Sequence, residues 1–141
     1  MEAVLLYRLT IPGRMPGLNE YISAERANRY QAAKMKRDWQ NIVCHEIRRQ
    51  LRGVKLRFPV VLAYTFHEPN RRRDHDNVAG FAHKIIQDAM VQMDILEDDG
   101  WDEIAGFVDW FVLDKKNPRI EVEILRTDEP LGWLLWEGQD G

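Results

Sequence analysis

At 141 residues and 45% hydrophobic content, the chain can bury the core of one domain but is short for two. No apolar run approaches a membrane span, no charged-then-apolar N-terminal segment reads as a leader, and the lone Cys44 excludes an intrachain disulfide framework or a multi-cysteine metal site. The net charge of −3 hides a division, because residues 1–73 carry 15 Lys+Arg against 6 Asp+Glu and residues 74–141 carry 5 against 17. Either the two halves neutralise each other across the fold, or a basic face for a polyanion lies beside an acidic pocket for a metal. The expectation is a soluble, cytoplasmic protein of one domain.

Ala3–Ile11 reads as a first strand, and Pro12–Asn19, with two prolines and two glycines, as loop. Glu20–Asn28 reads as a polar connection. From Arg29 to Arg52 the apolar residues Met35, Trp39, Ile42/Val43, Ile47 and Leu51 recur as one helical face. Lys34, Arg37, His45, Arg48 and Arg52 lie opposite, and Gly53 reads as the cap. A basic helix face can track a phosphate backbone, but it is more often simply solvated. Val60–Phe66 is a β-branched and aromatic run that reads as a buried strand. A second helix runs from Val78, burying Phe81, Ile85, Ala89 and Met93 with Val78, Ala82 and Ile86, while His83, Lys84, Gln87 and Asp88 lie off that side.

Asp94–Asp102 reads as a turn, Ile104–Leu113 as a third strand and Asn117–Pro118 as a hairpin turn. Arg119–Leu125 alternates, with Ile120, Val122 and Ile124 toward the core and Glu121 and Glu123 toward water. In the tail, Asp128–Gly141, Trp133 and Trp136 are expected to dock on the domain or on another subunit. The order β-α-β-α-β-β predicts a single α/β (α+β) domain with a mixed sheet and helices packed on it.

Chemistry concentrates between the second strand and the second helix, where Asn70–Asn77 reads NRRRDHDN. On extended chain, Asp74 and Asp76 would point to one side and His75 away from them, so that replacing His75 by Ala is expected to be tolerated. Two carboxylates so close repel unless one stays protonated or a cation lies between them, and clustered oxygens suit Mg2+. Arg71, Arg72 and Arg73 beside them suggest a phosphate-bearing substrate. A later acidic pair, Asp98–Asp99, is expected to be carried back beside the first by helix and turn.

An EF-hand beginning at Asp74 fails, since it would put Ala79 at the required glycine and Ile85 at the closing glutamate. The four histidines have no zinc-like spacing, and there is no Gly-rich phosphate loop or Gly-x-Ser-x-Gly elbow. A hard-cation site remains, with Asp74, Asp76 and Asp99 as ligands and Asp98 as a further candidate. Each aspartate taken alone reads as a cap or turn residue, with Asp76 or Asn77 as the N-cap and Asp98–Gly100 as a turn, and only the set together with the arginines favours a metal.

The ordered set Arg71–Asn77, then Lys84–Met90 (KIIQDAM), then Asp98–Asp99, resembles the RusA family of Holliday-junction resolvases. The likeness includes the first strand with its proline-bearing loop and Asn19, and it extends to about Leu125. It implies a Mg2+-dependent endonuclease, with Mn2+ as a substitute, that acts as a homodimer on four-way DNA junctions in recombination and repair. By motif the essential aspartates would be Asp74, Asp76 and Asp99, with Lys84 as the catalytic lysine. Asp76 and Lys84 are eight residues apart, however, one helical turn more than the family pattern. An extra non-helical turn over Asn77–Gly80 would bring Lys84 back; otherwise Lys84 pairs with Asp88 on the surface. In the expected reaction Mg2+ activates water for attack on phosphorus, Arg71–Arg73 hold flanking phosphates and Lys84 offsets developing charge. The alternatives are a metal nuclease for other branched DNA and a non-catalytic DNA-binding protein on the same fold.

Overall fold

A computed structural model describes residues 3–127. Its elements are β1 (Ala3–Pro12), α1 (Leu18–Ala27), α2 (Arg29–Gln50), β2 (Val60–Glu68), α3 (His75–Gln92), β3 (Ile104–Leu113) and β4 (Arg119–Thr127). They form a four-stranded mixed sheet in the order β1-β4-β2-β3. β4 runs antiparallel to both β1 and β2, whereas β3 runs parallel to β2, joined to it by the α3 crossover. The α/β expectation holds, and Trp133 and Trp136 lie outside the described residues.

Alternation decides which face is buried. Val60, Leu62, Tyr64 and Phe66 of β2 and Ile120, Val122 and Ile124 of β4 are almost wholly buried, together with Leu9 and Ile11 of β1. Against them pack Val43 and Ile47 of α2 and Phe81, Ile85, Ile86 and Ala89 of α3. Met90 takes the buried place expected of Met93, which is only half-buried because α3 ends there. Asp94, at φ 61°, closes α3 in the left-handed conformation. The Ile95 and Asp94 amides then return to the carbonyls of Met90 and Val91, and Ile95 and Leu96 drop into the core.

Gln50 ties α2 to the sheet, since its side chain accepts from the Thr10 amide at 2.8 Å and donates to the Thr10 carbonyl at 2.7 Å. Gln50→Ala leaves both backbone groups without that partner and is expected to cost about 1–3 kcal/mol in chemical denaturation.

Two expectations are corrected. The segment read as loop and polar connection contains α1. Its larger apolar residues, Leu18, Tyr21 and Ile22, span little more than one turn and none of its residues is buried, so the helical period is too weak to see. Tertiary contacts hold it instead, with Tyr21 packed on Phe81 at 5.2 Å between ring centroids. Asn28 then caps α2, its side chain accepting from the amide of Tyr30 at 2.9 Å. The second correction is that β3 and β4 form no hairpin. The crossover places β3 on one side of β2, so β4 pairs with β2 only on the other side, and the 114–118 connection passes the end of β2. There Asp114 donates its amide to the Glu68 carbonyl and accepts from the amides of Lys116 and Asn117. No helix among the described residues is long and apolar enough to cross a membrane.

Candidate functional site

The chain leaving β2 turns through Pro69–Arg73 and enters α3 at once. Asp74 is the N-cap, in extended backbone, and its Oδ1 accepts from the Asn77 amide at 2.8 Å. This corrects the expectation that Asp76 or Asn77 would cap. Asp76 stands in the first helical turn, where the exposed amides carry partial positive charge. Helix geometry, not strand alternation, therefore sets the directions here. Successive helical side chains are about 100° apart, so His75 is not turned away as an extended chain would turn it. Its ring stacks on Phe111 of β3 at 3.9 Å. Asp74, His75 and Asp76 all line one open cavity of about 960 Å³, together with Glu68, Arg71 and Phe111.

The three arginines divide. Arg71 and Arg72 are exposed, and Arg71 lines the cavity. Arg73 is an internal group with a side chain only 9% exposed. Its guanidinium donates to both oxygens of Glu68 at 2.8 and 2.9 Å, and to the Met15 carbonyl at 3.1 Å. Arg73 therefore joins the end of β2 to the loop ahead of α1, and it lines the cavity alongside Arg71 with its guanidinium engaged by Glu68 and Met15.

Gly17 and Asn77 complete that joint. Asn77 Oδ1 accepts from the Asn19 amide at 2.8 Å, docking the start of α1 on the start of α3. A Cβ on Gly17 would lie 2.7 Å from Asn77 Oδ1 and 3.1 Å from Arg73 Nη1, so a larger residue there would have to displace the Asn77 and Arg73 side chains that make the joint. Glu68, Gly17 and Phe111 were not singled out from the sequence. A glutamate closing a buried strand just before an arginine run was the one legible signal.

Asp98 and Asp99 do not join the first pair. They precede the N-terminal end of β3, whereas Asp74 and Asp76 follow the C-terminal end of β2. Because β2 and β3 are parallel, those ends are opposite. Neither residue lines the cavity; the Asp98 carboxylate accepts from the Asp99 amide at 2.8 Å. Among the described residues no group of three or more His, Cys, Asp or Glu is gathered as a metal cage.

Lys84 is also away from the cavity. α3 runs unbroken through Asn77–Gly80, so the extra non-helical turn is absent and Lys84 stands about 12 Å along the axis from Asp76. Its ammonium bonds Asp88 at 3.1 Å. That bond and the Asp88 charge, with a smaller contribution from Asp99, hold the Lys84 pKa above the ordinary lysine value. With Lys84 exposed and Asp88 half-buried, this i, i+4 pair is worth little. Lys84→Ala and Asp88→Ala should each change stability by only a few tenths of a kcal/mol, read by thermal denaturation.

The donor set fits a hard cation. Mg2+ is commonly held by one or two carboxylates and otherwise by water and substrate phosphate, which Asp74 and Asp76 can satisfy without an all-protein cage. A phosphate would be drawn to Arg71 and to the α3 N-terminus but repelled by the two carboxylates. Carboxylates and phosphate therefore share this cavity comfortably only with a cation between them. No protein-family model matches the chain, and no curated protein matches it either.

Proposed function

We propose that the chain is a Mg2+-dependent endonuclease of the RusA kind, hydrolysing phosphodiesters at branched DNA, with four-way junctions as its substrate. The observation that carries this reading is the shared cavity of Asp74 and Asp76 at the α3 N-terminus, with the exposed Arg71 on its wall. In this reading Asp74 and Asp76 hold the metal, which when bound supplies Lewis-acid activation at the scissile phosphate. Arg71 and Arg72 position the DNA backbone, and Asp74 also anchors the cavity wall by capping α3. A junction needs two cuts related by a two-fold axis, so a homodimer with two sites suits the task.

The test is incubation of purified protein with a labelled four-way junction, a flap and a linear duplex, with Mg2+ and with chelator. Mg2+-dependent cutting of the junction in preference to duplex is expected. Cutting of the flap alone points to a nuclease for other branched DNA, and binding without cutting to an accessory protein. Arg71→Ala and Arg72→Ala should each lower the slope of log affinity against log salt by about one unit, with little dependence on base sequence. Titrations between low and moderate salt measure it.

A further inference from the structure

Four aromatic rings form a column that runs from the core to the wall of the cavity. Tyr64 and Phe66 of β2, both almost wholly buried, stack at 5.8 Å between centroids with 11° between their planes. Phe66 stacks in turn on Phe111 of β3 at 5.3 Å and 17°. Phe111 then stacks on His75 of α3 at 3.9 Å and 5°. His75 alone in this column is exposed, and it lines the cavity. Phe111 covers one face of its ring, and among the described residues no other ring lies on the second face. The buried rings behind it hold its orientation, so a ligand that stacks there costs little further side-chain ordering.

The backbone sets what such a ligand must be. His75 stands between Asp74, the N-cap, and Asp76 of the first turn. Its Cα is about 3.8 Å from each of theirs, so a phosphodiester held at the carboxylates brings its own sugar and base beside the ring. The partner that fits is flat, aromatic and joined to a phosphate. In a continuous duplex both faces of each base are covered by its neighbours, and only an unstacked base presents one to a protein ring. A branch point interrupts that stacking.

We propose that His75 is a stacking platform for an unpaired nucleobase next to the phosphate held at Asp74 and Asp76, and that this contact favours branch points over continuous duplex. The choice of substrate rests on the nuclease reading given above. Every base has a π-face, so the platform discriminates DNA structure and tolerates any sequence. The expectation from extended backbone, that His75→Ala is harmless, is thereby reversed for binding.

A double-mutant cycle tests it through binding in chelator, apart from cleavage. The probes are a labelled four-way junction, the same junction with abasic sites in place of the bases flanking the branch point, and a linear duplex. His75→Ala should weaken affinity for the intact junction about 5- to 150-fold. Its affinity for the duplex and its far-ultraviolet circular dichroism should match the wild type. His75→Phe, which keeps a ring, should bind the intact junction as the wild type does. On the abasic junction His75→Ala and the wild type should bind equally, because the base that the ring would touch has gone. An intact-junction affinity unchanged in His75→Ala overturns the platform, as does an equal loss on the abasic junction. His75→Phe as weak as His75→Ala rejects stacking as the cause, and a wild type that binds no junction removes the platform altogether. Cleavage in Mg2+ is read separately. A wild type that shows the full cycle but cuts nothing fails the nuclease reading and keeps the platform; Mg2+-dependent cutting without the cycle does the reverse.

Discussion

Asp74→Asn and Asp76→Asn are each expected to reduce Mg2+-dependent junction cleavage by about two to four orders of magnitude, roughly 3–5 kcal/mol of activation free energy. Each change removes a charged oxygen ligand from the cavity and keeps the side-chain outline. The fold should survive both. Asn caps a helix about as well as Asp, so the 2.8 Å bond from the Asn77 amide has a replacement acceptor in Asp74→Asn. Asp74→Ala is the instructive comparison, because it should lose cleavage and also about 1 kcal/mol of stability with the cap. Junction affinity measured in chelator should hold or rise, since a negative charge beside phosphate has gone. Wild-type cleavage rates in Asp74→Asn and Asp76→Asn would refute the metal site.

Arg73→Ala is expected to act on stability, by about 3–5 kcal/mol, because it leaves a carboxylate in poor contact with water and without its partner. The Glu68 side chain is only 12% exposed and receives the Arg73 guanidinium on both oxygens. The nearest other cation, Arg14, is 3.6 Å from Glu68 and more exposed, so it compensates in part only. The Met15 carbonyl loses a donor as well. Urea denaturation measures the loss, and adding Glu68→Gln to Arg73→Ala should recover part of it. An arginine serving only as a phosphate contact would behave oppositely, lowering the salt slope of DNA binding at unchanged stability. Arg71→Ala and Arg72→Ala supply that contrast within the same run of three.

Side-chain period by itself determined much of this protein. The strict alternation of Arg119–Leu125 and the branched run Val60–Phe66 each mark a strand and the face it buries, and Ile104–Leu113 coincides with β3 end to end. The spacing Met35–Trp39–Val43–Ile47 likewise marks α2. These are local properties, written in residues a few positions apart, and burial of the apolar set enforces them. The acidic and basic residues near Asp74 were legible as a chemical set for the same reason.

Tertiary structure decided which elements became neighbours. Alternation says which face of β4 is buried but not that β4 lies between β1 and β2, so an apparent hairpin became a connection past the end of β2. α1 has too little apolar period to announce itself and exists through Tyr21, Gly17 and Asn77. Three adjacent arginines look alike in sequence, yet the nearby Glu68 and the distant Met15 carbonyl make Arg73 part of the fold. The α3 crossover had the largest effect. By making β2 and β3 parallel it sent Asp74–Asp76 and Asp98–Asp99 to opposite ends of that pair, because a parallel connection must return to the end at which it began.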